Sequence, residues 1–297
     1  MVTTQAINIH GDSAFYMNWE GADCKVHFYG ANGYSPGVYA PLFRSLHKTL
    51  DIESLLMRAQ WPDIGKPAES LRWQTYADDL IYFLELRNTH PIIGMGHSMG
   101  ATATVFAAAK RPDLFSELVL IEPAALPTKI AMWDPILPFS FRRRFLQPGK
   151  STLKRRHCWP NRRDFREKCE SWKTLQGFSK EALDAFASSA VIDTSKGVEL
   201  AFPREWEAHN YFCPPSIWSN LKKVTCPVTV IRGESSEYFS DTMWSYWQRK
   251  RPQDNIIKLD GLGHLLPLQE PALCAATINH VLGGTILNLS SHFNLII

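Results

Sequence analysis

The sequence predicts an α/β fold, a mostly parallel central sheet with helices on both faces, carrying an inserted and mainly helical segment. Three observations lead there. Short apolar runs alternate with helical patterns toward both ends of the chain, as repeated βαβ units require. One of these runs, Pro91-Ile-Ile-Gly-Met-Gly-His-Ser-Met-Gly100, passes through a Gly-x-Ser-x-Gly turn straight into an alanine-rich helical stretch. Between Ala125 and Lys222 the alternation gives way to proline-rich joints and helical patterns without a convincing strand series.

Read in order, Ala6 to His10, Ala14 to Trp19 and Lys25 to Tyr29 have strand character and are separated by Gly-Asp-Ser and Gly-Ala-Asp turn signals. A glycine-rich loop, Gly30 to Gly37, precedes an amphipathic helix expected over Val38 to Thr49, and a strand follows from Ile52 to Met57. Apolar positions at spacings of three and four mark a second helix over 70–88, just before the strand that feeds the turn. Strands resume at Leu118 to Glu122, Val228 to Arg232 and Ile256 to Leu259. The organisation that follows is a core domain of residues 1–124 and 223–297 with an insertion, 125–222, that covers the C-terminal edge of the sheet as a cap. Its helical patterns lie at 162–176 and 179–190. The last residues, Gly284 to Ile297, alternate apolar and polar without declaring a strand or a tail.

The 297 residues, 45 % hydrophobic and 21 % charged, are ordinary for a globular chain with a real core. The N-terminus lacks a basic start followed by an apolar stretch, and no run reaches about 18 apolar residues. A cytoplasmic protein without membrane contact is the expectation. Six cysteines are scattered without a C-x-x-C pair, so reduced thiols are expected and a zinc site is not. Residues 125–222 hold 17 Lys+Arg against 10 Asp+Glu, while the remainder is net acidic. The clusters Arg142 to Arg144, Lys154 to Arg156 and Arg162-Arg163 read as a solvated helical face, because base-stacking aromatics are sparse among them. A small-molecule substrate is expected, and nucleic acid is not.

A strand, a sharp turn with serine at its apex and a helix directly behind make a nucleophile elbow, with Ser98 as nucleophile. Serine needs a base within hydrogen-bond reach and donors for the oxyanion. His264 lies in Leu259-Asp-Gly-Leu-Gly-His-Leu-Leu-Pro-Leu-Gln-Glu-Pro271, after the last strand, and follows the nucleophile in the required chain order. His97 reads as a packing residue of the turn.

Gly-His-Ser-Met-Gly, Gly-His-Leu-Leu-Pro-Leu-Gln-Glu-Pro and the inserted segment together resemble the α/β-hydrolase superfamily. A capped branch is similar around His27-Phe-Tyr-Gly-Ala-Asn-Gly-Tyr34 and Arg58-Ala-Gln-Trp-Pro62. The resemblance implies an oxyanion hole built from the Met99 N–H and one N–H of the early loop, at Tyr34 by position, although the usual His-Gly pair is Asn32-Gly33 here. It also implies an aspartate after the strand Val228 to Arg232, where this chain reads Gly233-Glu-Ser-Ser-Glu-Tyr-Phe-Ser-Asp241. Glu237 is the nearest carboxylate there with suitable loop geometry, while Glu234 lies close to the strand and Asp241 starts the next helix. Glu122, closing Leu118-Val-Leu-Ile-Glu-Pro, is the alternative, because some capped members carry the acid after that strand.

Resembling dehalogenases and epoxide hydrolases attack through aspartate, so Ser98 directs the expectation to acyl transfer to water, with no metal or cofactor in any step. The expected activity is hydrolysis of a small hydrophobic carboxylic ester. The alternatives are a carbon–carbon bond hydrolase using the same residues and a ligand-binding protein that keeps the fold. Trp133, Phe139, Phe141, Trp159, Trp172, Phe186, Trp206, Tyr211 and Trp218 supply aromatic surface for a pocket or for the core of the insertion.

Overall fold

A computed structural model describes residues 2–21, 24–46, 48–88, 91–124 and 138–283. Part of the Gly-Ala-Asp turn signal, Trp133 and the segment 284–297 lie outside the described residues.

The strands β1 (Val2–Ile9), β2 (Asp12–Trp19), β3 (Lys25–Tyr29), β4 (Asp51–Leu55), β5 (Ile92–His97), β6 (Phe115–Ile121), β10 (Val228–Gly233) and β11 (Asn255–Leu259) form one sheet. Its order is β1-β2-β4-β3-β5-β6-β10-β11. The first two strands pair antiparallel through a two-residue turn, Ile9 opposite Asp12, with His10 and Gly11 both at positive φ. That is the turn whose twist matches the strands it joins. From β4 to β11 the pairing is parallel.

Every residue of β5 is buried, as a central parallel strand covered on both faces demands. On one face pack α2 (Trp73–Arg87), α3 (Met99–Lys110), α9 (Trp218–Leu221) and α10 (Asp241–Lys250), through side chains such as Tyr76, Phe83, Trp218 and Trp247. The other face is covered by α1 (Ala40–Leu46), α11 (Leu266–Gln269) and α12 (Pro271–Val281), with Leu42, Phe43, Leu268 and Ile278 in the core.

Between β6 and β10, which are sheet neighbours, the chain makes α4 (Phe139–Phe145), α5 (Gly149–Thr152), α6 (Arg162–Ser171), α7 (Lys180–Ser189) and α8 (Arg204–Phe212) before α9. Asn161 caps α6 by accepting from the Asp164 N–H at 2.9 Å, and Ser179 caps α7 from the Ala182 N–H at 3.1 Å. This segment also holds an antiparallel sheet of β7 (Cys158–Trp159), β8 (Val191–Thr194) and β9 (Gly197–Leu200), ordered β7-β9-β8, which the sequence pattern does not announce. Strands of two to four residues are too short to display alternation. They exist because a two-residue turn folds β8 onto β9, and β7 pairs with β9 while the Trp159 side chain packs in the core.

The basic clusters are mostly solvent-facing, with Arg143, Arg144, Lys154, Arg156, Arg162 and Arg163 exposed, but each cluster has a member with a partner in the fold. Arg142 is buried and donates to the Phe212 carbonyl at 3.1 Å, Arg162 grips Asp193 at 3.0 and 2.9 Å, and Arg155 pairs with Glu207.

Two fully buried histidines belong to the central strands. Burial holds His27 at about 3, and burial together with the nearby His264 holds His97 at about 3. Both stay neutral in the fold, whereas their unfolded counterparts take up a proton below about 6.5. Stability from these groups is therefore complete above pH ~6.5 and declines as pH falls toward 3. His27→Gln should flatten the fall of the thermal midpoint over that window by roughly one proton's worth. An unchanged slope in thermal scans from pH 7 to 3.5 would show that His27 is not held neutral.

Candidate active site

Ser98 leaves β5 at φ 54°, ψ −117°, an uncommon left-handed conformation for a residue with a side chain, and stands at the N-terminus of α3. Its N–H donates to the Ile121 carbonyl at 2.9 Å, anchoring the turn to the end of β6. The flanking glycines are required by space. A Cβ on Gly96 would lie 2.6 Å from the Ala101 nitrogen, and one on Gly100 only 2.2 Å from the Tyr29 oxygen.

His264 reaches the same edge from the loop after β11, and its Nε2 is 3.0 Å from Ser98 Oγ. That loop is pinned by Gln269, whose Oε1 accepts from the Gly263 N–H at 2.8 Å. His264 Nδ1 is 3.0 Å from Glu122 Oε2. With Nδ1–H directed at the carboxylate, the lone pair of Nε2 faces the serine hydroxyl.

Glu122 is fully buried just beyond β6, with φ 49°. Its N–H donates to the Ile231 carbonyl at 2.8 Å, so the β6–β10 pairing carries it to the sheet edge. A buried carboxylate needs donors, and three converge here. The Gly233 N–H reaches Oε1 at 2.6 Å, while the Ser236 hydroxyl and His264 Nδ1–H meet Oε2. Ser236 is itself set by the Phe239 N–H, which donates to its Oγ at 3.0 Å. The loop expected to carry an acid thus supplies donors to one from another strand. Sequence reasoning passes over Ser236, because a hydroxyl in a loop gives no signal of its own.

Glu237 lies on the cavity wall, exposed, and makes no hydrogen bond to His264. Glu234 is tied to Lys258 and the Gly261 N–H, and Asp241 begins α10 beside Arg232. The structure brings together Ser98, His264 and Glu122, and leaves Glu237 apart from them. Ser236→Ala should cost about 1–3 kcal/mol of stability by removing a charge-assisted donor. A fall in kcat of about tenfold should accompany it, and an unchanged kcat per folded molecule would mean that two donors suffice to hold Glu122.

Met99 opens α3, so its N–H has no acceptor within the helix. The Tyr34 N–H behaves differently from expectation, because it closes a turn onto the Ala31 carbonyl at 3.1 Å. The Ala31 N–H donates to Tyr39 Oη at 2.9 Å. Asn32 lies between them on the cavity wall, and its backbone N–H has no acceptor among the described residues. The Asn32 side chain is gripped from the inserted segment: its Nδ2 donates to the Glu207 carbonyl and its Oδ1 accepts from Asn210, both at 2.9 Å. Asn210 is held in turn by Tyr76 at 3.0 Å and Trp73 at 3.1 Å. No local pattern marks Asn210.

Ser98 and His264 open into a cavity of about 650 Å³. Tyr34, Trp73, Phe178, Tyr211, Pro214, Pro215, Tyr238 and Leu265 give it a mainly apolar wall, with Gln147, Lys173, Thr174, Glu237 and Gln269 as polar groups. The Tyr238 ring lies 4.4 Å from that of His264, centroid to centroid. Burial pushes the Tyr34 and Tyr211 hydroxyls well above the usual phenol range, so both remain neutral donors. Of the aromatics singled out in the insertion, Tyr211 lines the cavity, whereas Trp159, Phe186, Trp206 and Trp218 are core.

Residues 9–277 match the model of the alpha/beta hydrolase family. Abhydrolase domain-containing protein AKT2 of Alternaria alternata is 26 % identical over 225 residues, 63 % of this chain and 81 % of that protein. Among solved structures, E-2-(acetamidomethylene)succinate hydrolase superposes with a TM-score of 0.80 at 18 % identity, covering 96 % of this chain and all of that one. A thermophilic esterase from Thermogutta terrifontis superposes with a TM-score of 0.67 at 17 % identity, covering 94 % and 98 %. At such identities the structural likeness is one of fold.

Proposed function

The chain belongs to the alpha/beta hydrolase family, and from that membership we propose that it is a serine hydrolase cleaving a small hydrophobic carboxylic ester through an acyl-enzyme on Ser98. One observation carries the reading: the hydrogen-bonded line from Ser98 Oγ through His264 to Glu122, 3.0 Å at each step, at the floor of a largely apolar cavity.

Ser98 Oγ attacks the ester carbonyl carbon while its proton passes to His264 Nε2. Glu122 holds the imidazole in the required tautomer and balances the imidazolium without taking the proton. The oxyanion accepts from the Met99 N–H and, from the early loop, the Asn32 N–H. Collapse breaks the bond to the leaving oxygen, which receives the proton from Nε2. Water then attacks the acyl-enzyme, losing its proton to His264, and the carboxylic acid departs as Ser98 regains its own. The segment between β6 and β10 serves as a cap, and its Phe178 and Tyr211 line the same cavity as Ser98 and His264. Lys173 and Glu237 carry opposite charges on the cavity wall, which suits a substrate without net charge.

The test is labelling of the protein with a fluorophosphonate, mapping of the modified residue by mass, and turnover of short-chain aryl and alkyl esters. Modification at Ser98 with ester turnover is expected. Failure of the folded protein to react would turn the reading to a ligand-binding protein of the same fold.

A further inference from the structure

We infer that Tyr39 and His97 are positioning residues, linking the loop before α1, the elbow and the loop of His264 through one directed chain of hydrogen bonds. The inference rests on the reading of Ser98 as nucleophile and His264 as base. His97 closes β5 and is fully buried; its Nε2 is 2.8 Å from the backbone carbonyl of His264 and its Nδ1 2.8 Å from Tyr39 Oη.

Every direction in this chain is forced. A carbonyl oxygen only accepts, so His97 Nε2 carries the hydrogen. The ring is neutral, held at about 3 by burial and by His264, so Nδ1 has only a lone pair and accepts from the Tyr39 hydroxyl. The Tyr39 oxygen in turn accepts from the Ala31 N–H at 2.9 Å.

The consequence is mechanical. Ala31 adjoins Asn32, which carries the proposed loop donor, and His264 carries the base. His97 is the residue before the nucleophile. The chain therefore sets two loops against the elbow at fixed separations, from residues far apart in sequence. Tyr39 is locked for the task, fully buried with its ring packed on Phe28 at 4.8 Å between centroids. A neutral His97 also adds no second positive charge beside the imidazolium that forms on His264, 5.3 Å away between ring centroids.

Two variants separate the links. Tyr39→Phe keeps the ring and removes the hydroxyl, leaving the Ala31 N–H and His97 Nδ1 without partners. His97→Asn keeps an acceptor for Tyr39 and drops the link to the His264 carbonyl. With p-nitrophenyl acetate as probe, each should lower kcat about tenfold to a hundredfold with KM little changed, since small displacements of reacting groups cost rate more than binding. Fluorophosphonate labelling of Ser98 should slow in parallel. In the ¹⁵N-labelled wild-type protein, His97 should appear as the Nε2–H tautomer without titrating between pH 5 and 8. A wild-type kcat in the folded Tyr39→Phe protein, or a His97 that titrates or carries its hydrogen on Nδ1, overturns the inference. A wild-type protein that neither labels nor turns over would overturn the hydrolase reading instead, and the His97 tautomer would still report on the chain.

Discussion

Ser98→Ala is expected to fold with an unchanged thermal midpoint and to lose ester hydrolysis by about a millionfold. The fold should be indifferent, because alanine and serine bear the same strain at φ 54° and the turn is held by the Ser98 N–H to Ile121, which alanine retains. Chemistry should not be, because no other hydroxyl stands within hydrogen-bond distance of His264 Nε2 among the described residues. The remaining rate would come from oxyanion donors and substrate positioning, about 10³ to 10⁴ over water. Steady-state kinetics on a reactive aryl ester, with labelling as a control, measures the loss. Activity within a hundredfold of wild type would place the nucleophile elsewhere.

Glu122→Gln should lower kcat by about 10⁴, the scale seen when an orienting carboxylate becomes an amide. The physical reason lies in the donor count. Oε1 receives the Gly233 N–H and Oε2 receives both Ser236 and His264. An amide in either orientation turns its NH₂ group toward at least one of those donors, and if it faces His264 the imidazole is driven to the wrong tautomer. Glu237→Gln, exposed on the cavity wall, should leave kcat nearly unchanged. The comparison is read as kcat per folded molecule, with folding checked by near-ultraviolet dichroism. A large loss for Glu237→Gln and a small one for Glu122→Gln would return the orienting role to Glu237.

The elements built from neighbouring residues are legible in the chain itself. The strand into Ser98, the helix behind it and the glycines around it sit close together along the sequence, so their chemistry is expressed in adjacent side chains. His264 is legible for a related reason, since it stands on a glycine-flanked loop directly after the last strand and follows the nucleophile in the required chain order. The short sheet of β7, β8 and β9 is not, because Cys158 and Trp159 find their partners in the distant 197–200 strand.

His97 shows the boundary within a single residue. Its burial follows from an apolar strand that ends at the elbow, and packing is the natural reading of a histidine there. Its polar work depends on Tyr39 and on the backbone of His264, 58 and 167 positions distant. The loop donor has the same character. Position in the sequence favours Tyr34, yet the turn onto Ala31 engages that N–H.

By itself, then, the sequence determined the layered α/β architecture, the serine at its elbow and the histidine that follows it, because each is written in residues adjacent along the chain. A ranking of the two candidate acids comes only in three dimensions. Glu122 and Glu237 both follow sheet strands, and nothing in their neighbours ranks them. What ranks them is the pairing of β6 with β10, which carries Glu122 to the sheet edge beside the Gly233 N–H, the Ser236 hydroxyl and His264. A carboxylate is held in a buried place only where donors from separate strands converge on it, and convergence is a property of the folded chain.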